Sequence, residues 1–279
     1  MTLREAAALL RDAGISDALS EARLLFSRIG GLSQAALYGS DPALDDDLIL
    51  PYVRRRAARE PMAYILGEWG FYRETYFVNR DVLIPREDTE ILVDFAVKHL
   101  PKGARFADLC TGSGCIALSV LNNTEDTTAL IADLSEGALK VARKNAERLS
   151  LSERTRIMRA DVLCEDFHSY LRASGPWDAV LSNPPYIPKE VYRTLAPEIF
   201  FEPEGAFVGG EGGMAFYRIL IPALLPCLKE NGFLAFEIGF DQEERMRALA
   251  EENGCAARIL FDLSGHARVA VLHRESIHF

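Results

Sequence analysis

Apolar positions recur at three- and four-residue spacing through the first part of the chain. Leu3, Ala6, Ala7 and Leu10 mark one helical face, and Ala22, Leu25 and Ile29 mark another. Asp17 and Ser20 offer start signals for the second helix, and Gly30-Gly31 stops it. The pattern predicts a small helical bundle over residues 1–66, and this segment holds no cluster of potential catalytic groups. Between Gly67 and Val82 the text changes to WGFYRETYFVNRDV, with aromatic and β-branched residues around a polar turn. That predicts a β-hairpin over 67–82 linking two domains.

From Leu83 onward, apolar runs of strand length alternate with stretches of helical period. Strands are predicted over Arg105–Leu109, Thr127–Ala132, Arg156–Ala160, Trp177–Leu181 and Phe233–Ile238, and helices over Ser135–Leu149 and Met214–Lys229. The alternation predicts an α/β domain over 83–279, with parallel strands covered by helices on both faces. Two further strands, near Ala257–Phe261 and Ala267–His273, would finish the sheet at one edge.

The chain of 279 residues, 49% hydrophobic, can bury one large and one small core. The opening MTLREAAALL lacks the features of a secretory signal, and no stretch approaches the roughly 20 apolar residues of a membrane span, so a soluble protein is expected. The five cysteines are odd in number and form no CxxC pair, and no histidines sit at zinc-ligand spacing. A reducing, cytoplasmic setting and no metal follow as expectations. The net charge of −10 disfavours a free nucleic-acid substrate. The basic cluster of Arg54, Arg55, Arg56 and Arg59 reads as a solvated helix face or as a docking face for RNA or an acidic partner.

The first strand of the α/β region runs into Asp108-Leu109-Cys110-Thr111-Gly112-Ser113-Gly114-Cys115, with a helix following at once. Such a glycine turn lets a ligand approach the backbone beside a helix N-terminus. By itself it also fits a plain tight turn or a dinucleotide site. Asp133, at the end of the second strand, supplies a carboxylate for both hydroxyls of a ribose. Cys110 and Ile116 stand where GxGxxG would have glycines, which weakens a nicotinamide reading. Asp161 either accepts from an adenine amino group, with Val162 packing on the ring, or caps a helix.

The fourth strand leads directly into Ser182-Asn183-Pro184-Pro185-Tyr186. Two consecutive prolines fix φ and remove donors, which leaves the carbonyls of this loop free to face a ligand. Asn183 adds a side-chain carbonyl, Pro184 a backbone carbonyl, and Tyr186 an aromatic face. Two acceptors can hold both hydrogens of an NH2 group, as in an amide or a nucleobase, and aim its nitrogen at a methyl sulfonium over the glycine loop. The same acceptors favour charge developing on nitrogen, so no histidine base is required.

The motifs from Asp108 to Gly114, at Asp133 and from Asn183 to Tyr186 make the chain resemble the HemK/PrmC family of protein-(glutamine N5) methyltransferases, in particular its release-factor-modifying members. The resemblance spans nearly the whole chain. It includes Glu21-Ala22-Arg23-Leu24-Leu25, Tyr64-Ile65-Leu66-Gly67-Glu68, Leu83-Ile84-Pro85-Arg86, Asp88-Thr89-Glu90, and Phe201-Glu202-Pro203 before Gly209-Gly210. It implies a Rossmann-like class I methyltransferase domain behind a helical substrate-docking domain. The implied donor is S-adenosylmethionine, and the implied substrate is the glutamine of the Gly-Gly-Gln loop of class 1 release factors.

By resemblance, the cofactor contacts fall on Cys110, Thr111, Gly112, Ser113, Gly114, Asp133, Val162 and Asn183, and the substrate glutamine on Asn183, Pro184, Pro185 and Tyr186. Asn183, Pro184 and Tyr186 carry the catalytic role. Arg86 and Glu90 support the pocket or form a structural ion pair. Cys110 departs from the glycine often found there, and Glu87 from the proline common after Pro85-Arg86. A monomer without membrane attachment is expected. A ribosomal-protein glutamine, a nucleic-acid amino group and a nicotinamide dehydrogenase are the competing readings. The acidic charge and the absence of an inserted target-recognition domain count against the nucleic-acid one.

Overall fold

A computed structural model describes residues 1–273. The chain divides into two compact units, one comprising Met1–Glu68 with Ala196–Phe201, the other Trp69–Leu195 with Glu202 onward.

The first unit is helical, with α1 (Leu3–Asp12), α2 (Ala18–Arg28), α3 (Gln34–Gly39), α4 (Asp46–Ala57) and α5 (Met62–Leu66). Thr2 and Glu5 close a capping box on α1, whose buried face is Leu3, Ala6, Ala7 and Leu10. The arginine cluster is not a free basic face. Arg55 forms a two-point ion pair with Glu60 (2.8 and 3.0 Å), buried Arg56 bonds Glu21 (2.5 Å) and Glu198 (3.0 Å), and Arg59 also reaches Glu198 (2.8 Å). Of the four, Arg54 is the exposed one. Fork-shaped guanidiniums suit such bidentate, half-buried pairing.

In the second unit, a hairpin of β1 (Glu68–Phe71, its first residue in the helical unit) and β2 (Glu74–Phe77) precedes α6 (Glu90–His99). The main sheet comprises β3 (Arg105–Leu109), β4 (Thr128–Asp133), β5 (Thr155–Arg159), β6 (Trp177–Ser182), β7 (Leu228–Glu237), β8 (Ala257–Phe261) and β9 (Ala267–His273). The spatial order is β5-β4-β3-β6-β7-β9-β8. Strands β3 to β7 run parallel, and β9 pairs antiparallel with both β7 and β8. The predicted strands thus all form. β7 begins five residues earlier than expected, at Leu228 rather than Phe233.

The connecting helices are α7 (Cys115–Asn122), α8 (Glu136–Arg148), α9 (Glu165–Ser174), the short α10 (Lys189–Tyr192), α11 (Ala215–Leu224) and α12 (Glu243–Glu252). The helix expected over 214–229 ends at Leu224 because Pro226 lacks an N–H, and a 3-10 turn over Leu225–Cys227 leads into β7. One continuous core joins Leu171 of α9, Leu220 and Leu224 of α11 and Met246 of α12 to the inward residues of the sheet, such as Leu109, Val180 and Phe236. α7 and α8 pack with β4, and α6 packs with α7.

The strand order reverses between β3 and β6. The carboxyl ends of these two strands flank the crevice where open α/β sheets bind ligands. They carry, respectively, the glycine turn and the double-proline loop.

Candidate active site

Asp108, fully buried near the end of β3, pins the glycine turn from behind. Thr111 Oγ1 and the Ala117 N–H donate to its Oδ2 (2.6 and 3.3 Å), while its Oδ1 has no partner. Burial pushes this carboxyl up to about 7 against those two hydrogen bonds. Thr111 and Ser113 are themselves buried, and the Ser113 carbonyl accepts from Asn145 Nδ2 (2.9 Å). Cys110 has φ of 57°, a left-handed conformation that glycine adopts freely and other residues adopt at a cost. Its side chain packs against the core, and burial pushes the thiol up and keeps it neutral.

Asp133 ends β4 beside this turn. Its Oδ2 accepts the Gly112 N–H (2.9 Å) and its Oδ1 the Ser135 N–H (2.9 Å), so each oxygen keeps a free lone pair. Burial raises its pKa, opposed by these backbone donors. The carboxylate borders a cavity of about 390 Å³ shared with Cys110, Gly112, Val162, Asn183 and Pro185. That volume suits a small organic ligand.

Asp161 also lines the cavity, from an exposed position. Its Oδ1 accepts the Leu163 N–H (3.0 Å) in a local turn, whereas the N-cap of α9 is Cys164, so Asp161 does not cap that helix. Thr111, Ser113 and Gly114 are not among the lining residues. They shape the turn from below.

The facing wall is built from Asp81, Val82 and Leu83 on one segment and Pro203, Gly205 and Ala206 on another. Glu202 ties the two together by accepting from the Ile84 N–H (2.8 Å) and pairing with Arg86. Burial raises the Glu202 carboxyl, with Arg86 and the Ile84 N–H opposing. Glu90 is not the partner of Arg86. It accepts the Tyr72 N–H at the hairpin turn (2.7 Å). Glu87 opens a 3-10 turn over Glu87–Thr89 and is exposed.

The double-proline loop leaves β6 at Ser182, whose hydroxyl donates to the Leu109 carbonyl (2.6 Å) and so joins the two strand ends. Asn183 lines the cavity and donates through Nδ2 to Thr89 Oγ1 (3.3 Å). Among the described residues, no donor reaches Asn183 Oδ1 or the Pro184 carbonyl. Both acceptors therefore remain available. Pro185 lines the cavity, whereas Pro184 and Tyr186 are not among the lining residues. Tyr186 packs against the core and donates its hydroxyl to Glu237 Oε1 (3.1 Å). Burial pushes the phenol well up, so it stays protonated.

Two members of this site were not singled out for a role by the sequence reading. Thr89 appears there only inside Asp88-Thr89-Glu90, and Glu237 only inside the apolar strand Phe233–Ile238. Thr89 Oγ1 donates to Glu237 Oε2 (2.5 Å), and the Tyr217 hydroxyl donates to the Glu237 backbone carbonyl (2.7 Å). Burial pushes the Glu237 carboxyl up to about 7, partly offset by its two hydroxyl donors. A carboxylate in the middle of an apolar run was the available signal, because such a group stays buried only when hydrogen-bonded.

The donor set fits S-adenosylmethionine. Asp133 has lone pairs left for a diol, Val162 offers an apolar surface for a flat ring, and Gly112, with nothing within 4 Å of its missing Cβ, leaves the backbone open to approach. Residues 2–67 match the model of the PrmC N-terminal domain, and residues 87–214 match that of the methyltransferase small domain. The release factor glutamine methyltransferase of Caulobacter vibrioides is 40% identical over 94% of this chain and 91% of that protein. The chain belongs to the release factor glutamine methyltransferase family. The member from Rhodospirillum rubrum is 36% identical over 96% of this chain and 82% of its own length. Among solved structures, the hMettl16 catalytic domain shares the fold at 14% identity, with a TM-score of 0.55 over 72% of this chain and 76% of that one. The second unit thus has the Rossmann-like class I methyltransferase fold, preceded by the family's helical N-terminal domain. Among the described residues, no helix is long and apolar enough to cross a membrane, and no group of His, Cys, Asp and Glu is arranged to hold a metal ion.

Proposed function

We propose that the protein methylates the side-chain amide nitrogen of the glutamine in the Gly-Gly-Gln loop of class 1 release factors, with S-adenosylmethionine as donor. The observation that carries this reading is the pair of unengaged acceptors, Asn183 Oδ1 and the Pro184 carbonyl, at the switch point of the sheet. Family membership supports the choice of a release-factor glutamine over a nucleobase. When bound, the cofactor supplies an electrophilic methyl group on a sulfonium.

The residues of the chain bind and orient. Asp133 accepts from the ribose hydroxyls, Val162 and Asp161 flank the adenine, and Cys110 and Gly112 face the methionine end on a turn that Thr111, Ser113 and Gly114 shape from below. Asn183 Oδ1 and the Pro184 carbonyl take one amide hydrogen each, which fixes the nitrogen's direction and favours positive charge on it. Pro184 and Pro185 keep the loop stiff, so little reorganisation is needed, and Tyr186 anchors it through Glu237. The helical domain docks the release factor, and the setting is the cytoplasm.

Purified protein, methyl-labelled S-adenosylmethionine and recombinant release factor give the direct test. One methyl on the Gly-Gly-Gln glutamine is expected, absent from the Gln-to-Ala substrate and from the Asn183→Ala enzyme. Label found instead on ribosomal protein or RNA would overturn the reading.

A further inference from the structure

Thr89 and Glu237 lie outside the cavity lining, yet each bonds a residue of the acceptor loop. Glu237 is 3% exposed and Thr89 2%. The Thr89 hydroxyl has one proton and gives it to Glu237 Oε2 (2.5 Å), so toward Asn183 it can only accept. Asn183 therefore turns Nδ2 to Thr89 (3.3 Å) and Oδ1 away from it. The other Glu237 oxygen takes the Tyr186 proton (3.1 Å). One carboxylate thus sets the direction of hydrogen bonding at both ends of the loop.

Resting on the proposed function, we infer that Thr89 and Glu237 are positioning residues that hold Asn183 in its acceptor orientation, with Oδ1 presented to the substrate amide. The inference follows from proton counting. If Glu237 carries a proton on Oε2, it can donate to Thr89, and Thr89 can then donate to Asn183. The amide would turn over and present NH2 to a substrate that is itself an NH2 donor. Two donors facing one another repel, and the bound glutamine loses an acceptor.

The groups around Glu237 are Asp88 from the 3-10 turn, Arg268 from β9, Tyr186 from the loop, Tyr217 from α11 and Cys115 from α7. Asp88 disfavours the Glu237 charge and Arg268 favours it, while Arg268 is itself paired with Asp88 (3.0 Å). Among these groups, Glu237 is the one whose carboxyl is pushed to about 7, so its ionisation falls near neutral pH.

The test compares Thr89→Val, Thr89→Ser and Glu237→Gln with the wild type, measuring kcat, KM and cofactor affinity from pH 5.5 to 8.5. Thr89→Val should lose kcat by about tenfold to a hundredfold, with cofactor affinity unchanged within about twofold. Thr89→Ser should recover most of that loss. The wild-type kcat should rise through about pH 7, and this limb should vanish in Glu237→Gln. A merely structural role would lower stability without the serine rescue or the altered pH profile.

Because Glu237→Gln removes a buried charge, the side-chain NH2 resonances of Asn183 provide a readout in the folded wild type that needs no substrate. They should shift as Glu237 titrates, and shift again in Thr89→Val. Full turnover in Thr89→Val, or Asn183 resonances indifferent to both changes, would overturn the inference. A wild type that binds cofactor but transfers nothing to release factor would overturn the proposed function instead, and the Asn183 resonances would still decide the positioning role.

Discussion

Gly209 lies so close to Pro185 that a Cβ on the glycine would stand 2.3 Å from the Pro185 carbonyl oxygen. It would also stand 2.6 Å from Tyr186 Cα. The Gly209 N–H meanwhile donates to the Ile187 carbonyl (3.0 Å), and the Ile187 N–H donates to the Phe207 carbonyl (2.8 Å). The acceptor loop thus rests directly on a second strip of backbone.

Gly209→Ala should consequently displace the acceptor loop while leaving Asp133 and Val162, on the other side of the cavity, in place. We expect kcat to fall by about a hundredfold, in line with the cost of an ångström-scale misplacement. Cofactor affinity measured by calorimetry should change little. Wild-type turnover in this variant would show that the loop tolerates the shift.

Asp133→Ala should act on the opposite parameter. It removes the acceptor for the Gly112 and Ser135 N–H groups together with the proposed diol contact. Cofactor affinity should fall by more than about tenfold, the scale of a lost charge-assisted hydrogen bond. Equilibrium binding of the methylated or demethylated cofactor measures this directly.

Stability should decline as pH rises from about 4 to about 7 and level off above that. Burial raises the Asp108 carboxyl from 3.8 to about 7 and that of Glu237 from 4.5 to about 7. The folded state therefore holds protons that the unfolded chain releases. This contribution is fully present below about pH 4 and is lost as pH rises through about 7. Relative to Asp108→Asn, the wild type should lose several degrees of Tm between pH 5 and 8. A pH-independent difference between the two would contradict the assignment.

Much of this architecture was legible because its signals are local. The run Arg105–Leu109 and the turn after it announce a strand, a tight turn and a helix in sequence order. The Asn183-Pro184-Pro185-Tyr186 text carries its own rigidity. The arginine cluster misled because helical spacing says nothing about partners such as Glu21 and Glu198 that arrive from elsewhere in the chain. Thr89 and Glu237 are silent for the same reason. Their chemistry arises only when a 3-10 turn and a parallel strand are brought together, although a glutamate inside an apolar strand was a warning.

Thiol reactivity should separate the cysteines. Cys164 is exposed, whereas burial pushes the Cys115 thiol up to about 12 and raises that of Cys110 further. Brief treatment with iodoacetamide followed by peptide mapping should label Cys164 and spare the other two, since the thiolate is the reactive form. Bound cofactor should not alter labelling of Cys164. Rapid modification of Cys110 would mean that the glycine turn opens readily.

Asn145 of α8 uses its whole amide on two separate stretches of chain. Its Oδ1 accepts the Phe77 N–H (2.7 Å), and its Nδ2 donates to the carbonyls of Phe77 (3.0 Å) and Ser113 (2.9 Å). The hairpin's second strand and the glycine turn therefore hang from one peg. A fragment cut ahead of Glu74 would keep that peg loaded on both sides. One cut beyond Phe77 would unload its hairpin side and slacken the floor of the cofactor crevice from a distance.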